Sequence, residues 1–448
     1  MRKIAFIGAG STIFMKNIVG DALHFPALSD ATFALMDIDP TRLAESEAVA
    51  RRMIQSLGAD ARVEATTDRR RALDGADFVV TAFQIGGYRP CTVTDFEIPR
   101  AHGLTQTIGD TLGVGGIMRG LRTVPHLWAI AAEMAELCPG ALMLQYVNPM
   151  AINTWALAER YPQVRTVGLC HSVQNTVREI AHDLDLSTDE IRYKVAGINH
   201  VAFFLRLEHE GRNLYPDLFE GYRAGRLPKP PVHHLRCPNA VRYEVMENLG
   251  YFCTESSEHL AEYVPWFIKR GRPDLIEAFG IPLDEYPKRC EEQLADWRAQ
   301  ADHMTGGGPI EVAKSHEFAA DLMNGIVTDT PLTIYGNLPN SGQLPDLPMG
   351  AVVETPCLVD ANGVQPTSVT GLPPQLVALM RSQINVQELT VRALLDENID
   401  HVYHAAMMDP HTAAELDLRQ IRALVDDLVD AHADWLPRWV ARPRRLSA

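Results

Sequence analysis

The sequence lacks any apolar run of the roughly 20 residues that a membrane-spanning helix needs. It also lacks an excess of positive charge, because 41 Lys and Arg residues stand against 57 Asp and Glu residues, a formal net charge of −16. Nucleic-acid phosphates are bound by a concentrated cationic face, so this balance argues against a nucleic-acid partner. The amino terminus runs into a glycine-rich turn without the hydrophobic segment of a secretion signal. These absences predict a protein with neither a membrane nor a nucleic acid as its partner.

Cysteine is sparse as well: the seven cysteines are scattered from Cys91 to Cys357 and include no close CxxC pair. This pattern is typical of a reducing compartment rather than of a disulfide-stapled secreted fold, and it predicts a cytoplasmic protein. No internal repeat or low-complexity segment is visible. The 448 residues are 46% apolar and 22% charged, a composition that excludes a mainly disordered chain. At about 100–200 residues per domain, this length predicts two or three domains.

The first half of the chain alternates short apolar runs with longer segments of helical period. The helical segments include Arg42–Leu57 and Pro125–Leu137, where apolar residues recur every three or four positions. This alternation predicts an α/β fold with a Rossmann-like, doubly wound parallel sheet, whose ligands gather outside the carboxyl ends of the strands. The short runs are Lys3–Ile7, Thr32–Met36, Phe78–Ala82, Leu142–Val147 and Arg165–Leu169.

The second half of the chain has a different pattern, in which long helical segments dominate. Val201–Glu208 is consistent with a strand, and the proline-rich, basic stretch Arg226–Arg236 is typical of an exposed loop or arm. We therefore predict a Rossmann-like domain over residues 1–195 and a mixed α+β, mostly helical domain over residues 196–448. The expected helices are Asp284–Met304, Pro374–Glu397 and Ala413–Leu436, and the expected extended segments are Ile334–Gly336 and Val352–Val359.

Gly8, Gly10 and Ser11 form a glycine-rich turn between the first predicted strand and a predicted helix. The first glycine allows a tight turn, the second lets the backbone approach a pyrophosphate, and the helix amino terminus offers free N–H groups. Asp37 closes the second strand, where a carboxylate can bind an adenosine ribose and would repel a 2′-phosphate. Ile13 replaces the third glycine of the GxGxxG fingerprint, so an ordinary strand-to-helix turn is the alternative. The pattern favours a dinucleotide site, and NAD over NADP.

Polar side chains follow three further strands of the predicted sheet. Gln84 follows the third strand, Asn148 the fourth, and Cys170 with His171 the fifth. Each has a plainer explanation when taken alone, since a strand-terminal cysteine is usually a core residue and an Asn-Pro pair is usually a turn. Because the carboxyl ends of parallel strands meet at one edge of a sheet, we expect these side chains to lie beside the glycine turn.

Three residues outside the strand ends complete the set of candidates. His200 could add an imidazole to the Cys170 thiolate and form a metal site, whereas a lone histidine is more often structural. Two protein ligands would leave positions open for substrate oxygens, and ligand softness alone favours zinc, iron or cobalt. Asp110 lies in a loop rich enough in glycine to move or to wrap around a ligand, with a cap or turn aspartate as the alternative. Tyr263 is the third candidate for a functional side chain, and the alternative is an aromatic ring that packs at a domain interface.

Several longer stretches carry a family resemblance. Nearly the whole chain is covered, in order, by FIGAGSTIF, LMDIDPTRL, FQIGGY, YVNPM, GLCHSVQ, GINH and ESSEHLAEYVPWFIK. Together these stretches closely resemble glycoside hydrolase family 4, the NAD-dependent glycosidases, which do not use the usual pair of carboxylates. The resemblance implies a lactate/malate dehydrogenase-like architecture and assembly into a homodimer or homotetramer. It also implies that residues 1–195 bind NAD, whereas residues 196–448 bind substrate and metal and form the subunit contacts.

The resemblance also implies a redox-assisted elimination. NAD⁺ takes a hydride from C3 of the sugar, and the resulting ketone acidifies the proton on C2. A base removes that proton while the glycosidic oxygen leaves C1 with the help of an acid. Water then adds to the double bond and NADH returns the hydride, so no net oxidation remains. A divalent ion, usually Mn²⁺ in this family, would bind two of the sugar oxygens.

Each candidate residue takes a role by this resemblance. Cys170 and His200 match the metal ligands, Asp110 the acid, and Tyr263 the C2 base. Tyrosine is a poor base unless a cation lowers its pKa, Asp110 would need burial to hold a proton, and Cys170 must be a thiolate, so that reducing conditions should matter. The expected substrate contacts are Asn148, His171 and Asn199, and the expected cofactor contacts are Gly8, Gly10, Ser11, Asp37, Gln84 and Asn148.

The segment Cys170–Val173 resembles the neutral-sugar and uronate members of the family more than its phosphosugar members. The resemblance therefore favours α-galactosides such as melibiose as substrates, with α-galacturonides and α-glucosides as alternatives. A plain NAD-dependent dehydrogenase would instead accumulate NADH. A non-catalytic NAD- or sugar-sensing protein would cleave no galactoside.

Overall fold

A computed structural model describes residues 1–231, 238–315 and 317–440 of the chain. Its strands are β1 (Lys3–Ile7), β2 (Thr32–Met36), β3 (Arg62–Thr66), β4 (Phe78–Thr81), β5 (Leu142–Gln145), β6 (Arg165–Leu169), β7 (Ile191–Ile198), β8 (Val201–His209), β9 (Arg212–Asn213), β10 (Leu332–Pro339), β11 (Val352–Asp360) and β12 (Gly363–Pro366). Within the described residues these strands form one sheet in the order β3-β2-β1-β4-β5-β6-β10-β11-β7-β8-β9, and β12 pairs with β11.

Helices cover the sheet and form most of the carboxy-terminal part. They are α1 (Thr12–Leu23), α2 (Pro40–Leu57), α3 (Arg69–Leu73), α4 (Val93–Ala101), α5 (Gly113–Leu137), α6 (Met150–Arg160), α7 (Ser172–Leu184), α8 (Tyr215–Arg223), α9 (Ala240–Leu249), α10 (Ser257–Tyr263), α11 (Pro273–Phe279), α12 (Glu285–Thr305), α13 (Ala319–Thr328), α14 (Pro374–Asp396), α15 (Ile399–Met408), α16 (Pro410–Glu415) and α17 (Leu418–Ala431). Among the described residues, no helix combines the length and the apolar character that crossing a bilayer requires.

The first six strands form the doubly wound half expected from the sequence. β3, β2, β1, β4, β5 and β6 lie side by side in parallel, which is the strand order of a Rossmann fold. Alternate residues of β1 enter two different cores, since Ala5 and Ile7 pack on one face and Ile4 and Phe6 on the other. Burial on both faces explains the continuous apolar runs, and the predicted fold class is confirmed.

Four strands were missed by the sequence analysis: the short strands β9 and β12, and the longer strands β3 and β7. In β3 and β7, polar residues interrupt the apolar pattern. β3 is an edge strand with exposed residues, and β7 contains the partly exposed run Arg192–Lys194. β7 and β8 pair antiparallel, and β11 and β10 join them to β6. The sheet therefore continues across the predicted domain boundary, which falls inside β7. The division into residues 1–195 and 196–448 stays a prediction.

The predicted helix Ala413–Leu436 is wrong, because the structure has two helices, α16 and α17, in its place. The break is caused by Asp417, whose side chain accepts hydrogen bonds from the amides of Arg419 and Gln420 and caps α17. The basic stretch Arg226–Arg236 falls outside the described residues from residue 232 onward, and its described part contains no helix or strand.

Candidate active site

The turn after β1 contains two close approaches that glycine makes possible. Gly8 has a φ of +93°, and a Cβ there would lie 2.3 Å from the carbonyl oxygen of Ala82, just after β4. A Cβ on Gly10 would lie 2.6 Å from Oδ2 of Asp37, which accepts a 2.7 Å hydrogen bond from the Gly10 amide. Ser11 then caps α1 without a side-chain hydrogen bond. The structure thus brings the four residues of the expected dinucleotide turn together at one edge of the sheet.

Gln84 lies at the same edge, but its amide is engaged with protein atoms. Its Nε2 donates to the carbonyl oxygen of Gly87 at 3.0 Å and to Oγ1 of Thr92 at 2.6 Å. Its Oε1 accepts a 3.4 Å hydrogen bond from the hydroxyl of Tyr286 in α12. Gln84 therefore joins the loop after β4 to a distant helix, and its expected cofactor contact stays a prediction.

Three side chains able to ligate a metal converge beyond the carboxyl ends of β6 and β7. Cys170 follows β6, His200 follows β7, and Glu255 precedes α10. Their ligating atoms all lie within 4.8 Å of one another, and Nε2 of His200 is 3.2 Å from Oε2 of Glu255. We call these three residues the donor cluster. The structure brings together the two expected ligands and adds a carboxylate.

The ionisable groups of the donor cluster shift one another's pKa. Burial works against an imidazolium, but the negative charges of Glu255 and Cys170 outweigh it and raise the pKa of His200 to about 10. Burial also works against the Glu255 carboxylate, yet His200 and His259 lower its pKa to about 2. His200 and Glu255 have left-handed backbones, with φ of +65° and +67°, a conformation that is unfavourable for residues other than glycine and is concentrated at functional sites.

Tyr263 lies directly beside the donor cluster. Its hydroxyl is 3.0 Å from Nδ1 of His200, and the two rings stack with centroids 6.2 Å apart. The side chain is 1% exposed, and this burial, reinforced by the neighbouring carboxylates of Glu262 and Asp110, raises the pKa of Tyr263 well above its usual value. The phenol therefore needs a nearby cation before it can act as a base at neutral pH.

Asp110 is buried and surrounded by hydrogen-bond donors and positive charge. Its Oδ2 accepts a 3.1 Å hydrogen bond from Nδ2 of Asn148, and its Oδ1 accepts one of 2.7 Å from the Thr111 hydroxyl. Nη1 of Arg119 lies 3.8 Å from Oδ2. Burial favours the neutral acid, but Arg119 and His259 outweigh it and lower the pKa of Asp110. The carboxyl is thus ionised at neutral pH, which opposes the expected role as an acid.

Close packing holds the glycine-rich loop that carries Asp110. A Cβ on Gly115 would lie 2.1 Å from the carbonyl oxygen of Gly109, and a Cβ on Gly116 would lie 2.6 Å from the carbonyl group of Thr111. The loop therefore folds back onto the first turn of α5 at distances that only glycine allows. The glycines are needed for this close backbone packing, so the high glycine content of the loop does not indicate that it is mobile.

His171 and Asn199 lie in different surroundings. His171 has a side chain that is 34% exposed, and its Nε2 lies 2.5 Å from Oε2 of Glu317. Its ring also stacks on that of Tyr146. Asn199 is fully buried, and neither polar atom of its amide has a hydrogen-bond partner among the described residues. An unpaired buried amide is costly, so Asn199 is the kind of orphaned group found where a ligand completes the structure.

Five polar residues at this site were missed by the sequence analysis. They are Arg119, Glu255, His259, Glu262 and Glu317. The available signal for three of them was their place in the stretch ESSEHLAEYVPWFIK, which the analysis used for the family resemblance and not for chemistry. For the other two, no local pattern distinguishes them from ordinary helix or loop residues.

Residues 3–186 match the model of the family 4 glycosyl hydrolases, and residues 195–412 match the model of that family's C-terminal domain. The chain belongs to the family 4 glycosyl hydrolases. The family resemblance found in the sequence is therefore confirmed, and it extends over both halves of the sheet.

Curated relatives of this family 4 chain are similar along nearly the whole of this chain. An alpha-galactosidase of Bacillus subtilis (strain 168) is 44% identical over 439 residues, which cover 98% of this chain and 100% of the relative. An alpha-galactosidase of Rhizobium meliloti (strain 1021) is 34% identical over 462 residues, which cover 98% of this chain and 89% of the relative.

Solved structures show the same architecture. The Bacillus subtilis protein lplD superposes with a TM-score of 0.86 at 25% identity, covering 96% of this chain and 99% of that one. A 6-phospho-alpha-glucosidase from gut microorganisms, in complex with NAD and Mn²⁺, has a TM-score of 0.80 at 20% identity, covering 97% and 99%. A malate dehydrogenase from Plasmodium falciparum has a TM-score of 0.51 at 12% identity, covering 88% and 99%, which confirms the expected dehydrogenase-like architecture.

Proposed function

We propose that this family 4 enzyme hydrolyses α-galactosides, with NAD and a divalent metal ion as cofactors. The observation that carries the proposal is the donor cluster beside Tyr263, at the sheet edge that also holds the glycine turn. Membership of the family supports the chemistry, and the two similar alpha-galactosidases support the substrate class. When bound, NAD would take up and return a hydride at the sugar, while the metal ion would polarise the neighbouring oxygens.

The dinucleotide turn fits NAD. The Gly8 and Gly10 backbones leave no side chain between the strand ends and a pyrophosphate, and α1 begins at the next residues with its free N–H groups. Asp37 holds the turn through the Gly10 amide and presents its other oxygen beside α2. Its negative charge would bind a ribose hydroxyl and repel a 2′-phosphate, which favours NAD over NADP.

The donor cluster fits a divalent ion better than two ligands alone would. Cys170 and His200 supply sulfur and nitrogen, and Glu255 supplies the carboxylate oxygen that suits Mn²⁺. A divalent ion would replace the proton of His200 as the partner of the Glu255 carboxylate, and Cys170 would ligate it as a thiolate. We propose all three residues as ligands, with remaining positions open for sugar oxygens.

His200 would also prepare Tyr263 for its role as the C2 base. When Nε2 of His200 acts as a ligand, its Nδ1 carries the proton and donates to the Tyr263 oxygen 3.0 Å away. A hydrogen bond donated to the oxygen favours the tyrosinate, which opposes the effect of burial on its pKa. This hydrogen bond supports Tyr263 as the proposed C2 base, and we propose that Asn148 and Asn199 bind sugar hydroxyls.

Asp110 is proposed as the group that protonates the departing oxygen. Its charge is close enough to raise the pKa of Tyr263, and this proximity and its hydrogen bond from Asn148 support this role. Its own lowered pKa opposes the role, because an acid must first hold a proton. The dependence of the rate on the leaving group tests whether Asp110 is the acid. A proton donor speeds the cleavage of alkyl galactosides. It has little effect on the cleavage of aryl galactosides, because a phenolate leaves without being protonated.

Purified protein tests the proposed function in one set of rate measurements. Cleavage is followed on an α-galactoside, an α-glucoside, an α-galacturonide and a 6-phospho-α-glucoside, with NAD⁺, Mn²⁺ and thiol each omitted in turn. We expect the α-galactoside to be preferred and each omission to reduce the rate strongly. Cleavage that is independent of NAD⁺, or NADH that accumulates in proportion to product, would contradict the proposal.

Glu255→Gln is expected to weaken Mn²⁺ binding by at least about tenfold, since even the supporting partners of metal ligands contribute 10- to 100-fold. The amide retains the shape of the side chain and removes its charge. Mn²⁺ affinity is measured by titration with detection of the free ion by electron paramagnetic resonance. Glu258→Gln is the matched control, because Glu258 lies three residues further along the chain and is more fully buried, but it pairs with Arg289. Unchanged affinity in Glu255→Gln would exclude the carboxylate as a ligand.

Gly115→Ala is expected to lower kcat by about 100-fold, the usual effect of displacing a catalytic group by about 1 Å. The new methyl group would collide with the Gly109 carbonyl and push the Asp110 loop away from the site. Gly140→Ala is the control, since a Cβ there meets no atom within 4 Å. Rates are compared at saturating NAD⁺, whose affinity should not change. A Gly115→Ala enzyme with the wild-type kcat would show that the loop position is unimportant.

A further inference from the structure

A buried carboxylate on α10 holds the backbone of the Asp110 loop. Oε2 of Glu262 accepts hydrogen bonds from the amides of Thr107 at 2.8 Å and Ile108 at 3.1 Å, and its Oε1 accepts one of 2.9 Å from the amide of Gly109. Glu262 is 5% exposed. Three consecutive N–H groups thus point at one side chain, the arrangement by which backbone amides enclose an anion.

These three amides are the main partners of the Glu262 carboxylate. No salt bridge to it occurs within the described residues, so backbone dipoles compensate its burial in place of a cation. The compensation is incomplete, because burial raises the pKa of Glu262 to about 7 against the opposing effect of the amides. Burying a carboxylate lowers the stability of the fold unless its oxygens are well hydrogen-bonded. An apolar side chain would occupy this position with a smaller loss of stability. We therefore interpret the carboxylate as the acceptor that the loop amides require.

The position of Glu262 in the chain shows what this contact controls. Gly109, its last partner, is followed by Asp110, and Glu262 itself is followed by Tyr263. One side chain therefore links the loop that carries the proposed acid to the helix that carries the proposed base. The backbone of Tyr263 has a second anchor, because its carbonyl oxygen accepts a hydrogen bond from Gln383 of α14. Loss of the Glu262 carboxylate should accordingly move Asp110 more than Tyr263.

We propose that Glu262 is a positioning residue, which acts through the amides of residues 107–109 to hold Asp110 at the leaving-group oxygen. This inference rests on the proposed function, in particular on the assignment of Asp110 as the proton donor. Glu262 itself would touch neither the sugar nor the cofactor.

The test is the leaving-group selectivity of Glu262→Gln. Glutamine has one acceptor oxygen and a donor NH₂ group, so it cannot accept from all three amides. We define the leaving-group ratio as kcat/KM for melibiose divided by kcat/KM for 4-nitrophenyl α-galactoside, and we expect it to fall about tenfold in Glu262→Gln. Asp110→Asn provides the reference and should lower the same ratio about 100-fold, within the range of general acid catalysis. A loss of stability alone would lower both rates equally.

Asp183→Asn is the matched control for that loss of stability. Asp183 is also a buried carboxylate that accepts from a backbone amide, that of Lys229, but it lies in another core and binds Tyr243. The substitution Asp183→Asn should leave the leaving-group ratio unchanged. If Glu262→Gln does not fold, Glu262→Asp replaces it, because the shorter carboxylate keeps its charge but cannot reach all three amides, and the same direction is expected.

The outcomes separate the inference from the function on which it rests. A changed ratio in Asp110→Asn with an unchanged ratio in a folded Glu262 variant overturns the role of Glu262 alone. An unchanged ratio in Asp110→Asn would show that Asp110 is not the proton donor, and it would therefore overturn the role of Glu262 as well. Wild-type enzyme that cleaves neither galactoside, or cleaves them without NAD⁺, overturns the proposed function. A ratio that falls in both variants and not in Asp183→Asn supports the positioning role.

Discussion

Cys170→Ser is expected to lower the rate of α-galactoside cleavage by about 10³-fold or more and to abolish retention of Mn²⁺. A serine hydroxyl stays protonated at neutral pH and is a far weaker ligand than a thiolate. The donor cluster would lose one of its two anionic side chains. A catalytic metal stabilises developing charge by several kcal/mol, and each 1.36 kcal/mol corresponds to a factor of ten in rate.

The metal content and the rate are measured on the same sample after gel filtration with NAD⁺ and Mn²⁺. Cys138→Ser is the matched control, because Cys138 is a buried free cysteine at the end of α5, away from the donor cluster. It should retain bound Mn²⁺ and most of the activity. If Cys170→Ser keeps the metal and cleaves at the wild-type rate in the presence of a chelator, Cys170 is not a ligand.

Tyr263→Phe is expected to lower kcat by about 10²- to 10⁴-fold, the usual contribution of a general base. The substitution removes one oxygen atom and keeps the buried ring, so the stacking on His200 and the fold should persist. Mn²⁺ binding should also persist, because the lost hydroxyl contacts Nδ1 of His200, whereas the proposed ligand atom is Nε2, on the side of Glu255. Exchange of the galactose C2 proton with solvent deuterium should disappear together with cleavage.

Proton NMR of galactose incubated with enzyme, NAD⁺ and Mn²⁺ in heavy water measures this exchange. Tyr243→Phe serves as the control, since the Tyr243 hydroxyl is equally buried and donates to Asp183 in another core. Its loss should affect stability and leave the exchange rate unchanged. Exchange at the normal rate in Tyr263→Phe would assign the C2 base to another group.

The parallel half of the sheet was predictable because its strands are buried on both faces and their sequences are continuous apolar runs. β1, β2 and β6 begin and end at the predicted residues, and β4 and β5 end one or two residues early. β3 and β7 were missed because their exposed positions carry charged residues. Charge on one face hides a strand from an analysis that searches for apolar runs.

The candidate site was predictable where strand order alone brings residues together. Asn148 and Cys170 follow neighbouring parallel strands, so a rule about sheet edges is enough to place them. Glu255 lies in a loop before a short helix, and its approach to the other ligands depends on the packing of α10 and on its left-handed backbone. The ionisation of Asp110 depends on Arg119, whose position depends on how α5 packs. Neither feature has a local sequence pattern.

The order of strands in the sheet has a consequence for how the enzyme is made. β10 and β11, from residues 332–360, lie between β6, which leads to Cys170, and β7, which leads to His200. Translation must therefore pass the middle strands before the sheet can bring the thiol and the imidazole together. A nascent chain with only its first two hundred residues outside the ribosome would possess the nucleotide turn but no finished metal centre. Prematurely terminated fragments should consequently be inert toward sugars, and they would not compete with the mature enzyme for a divalent metal ion.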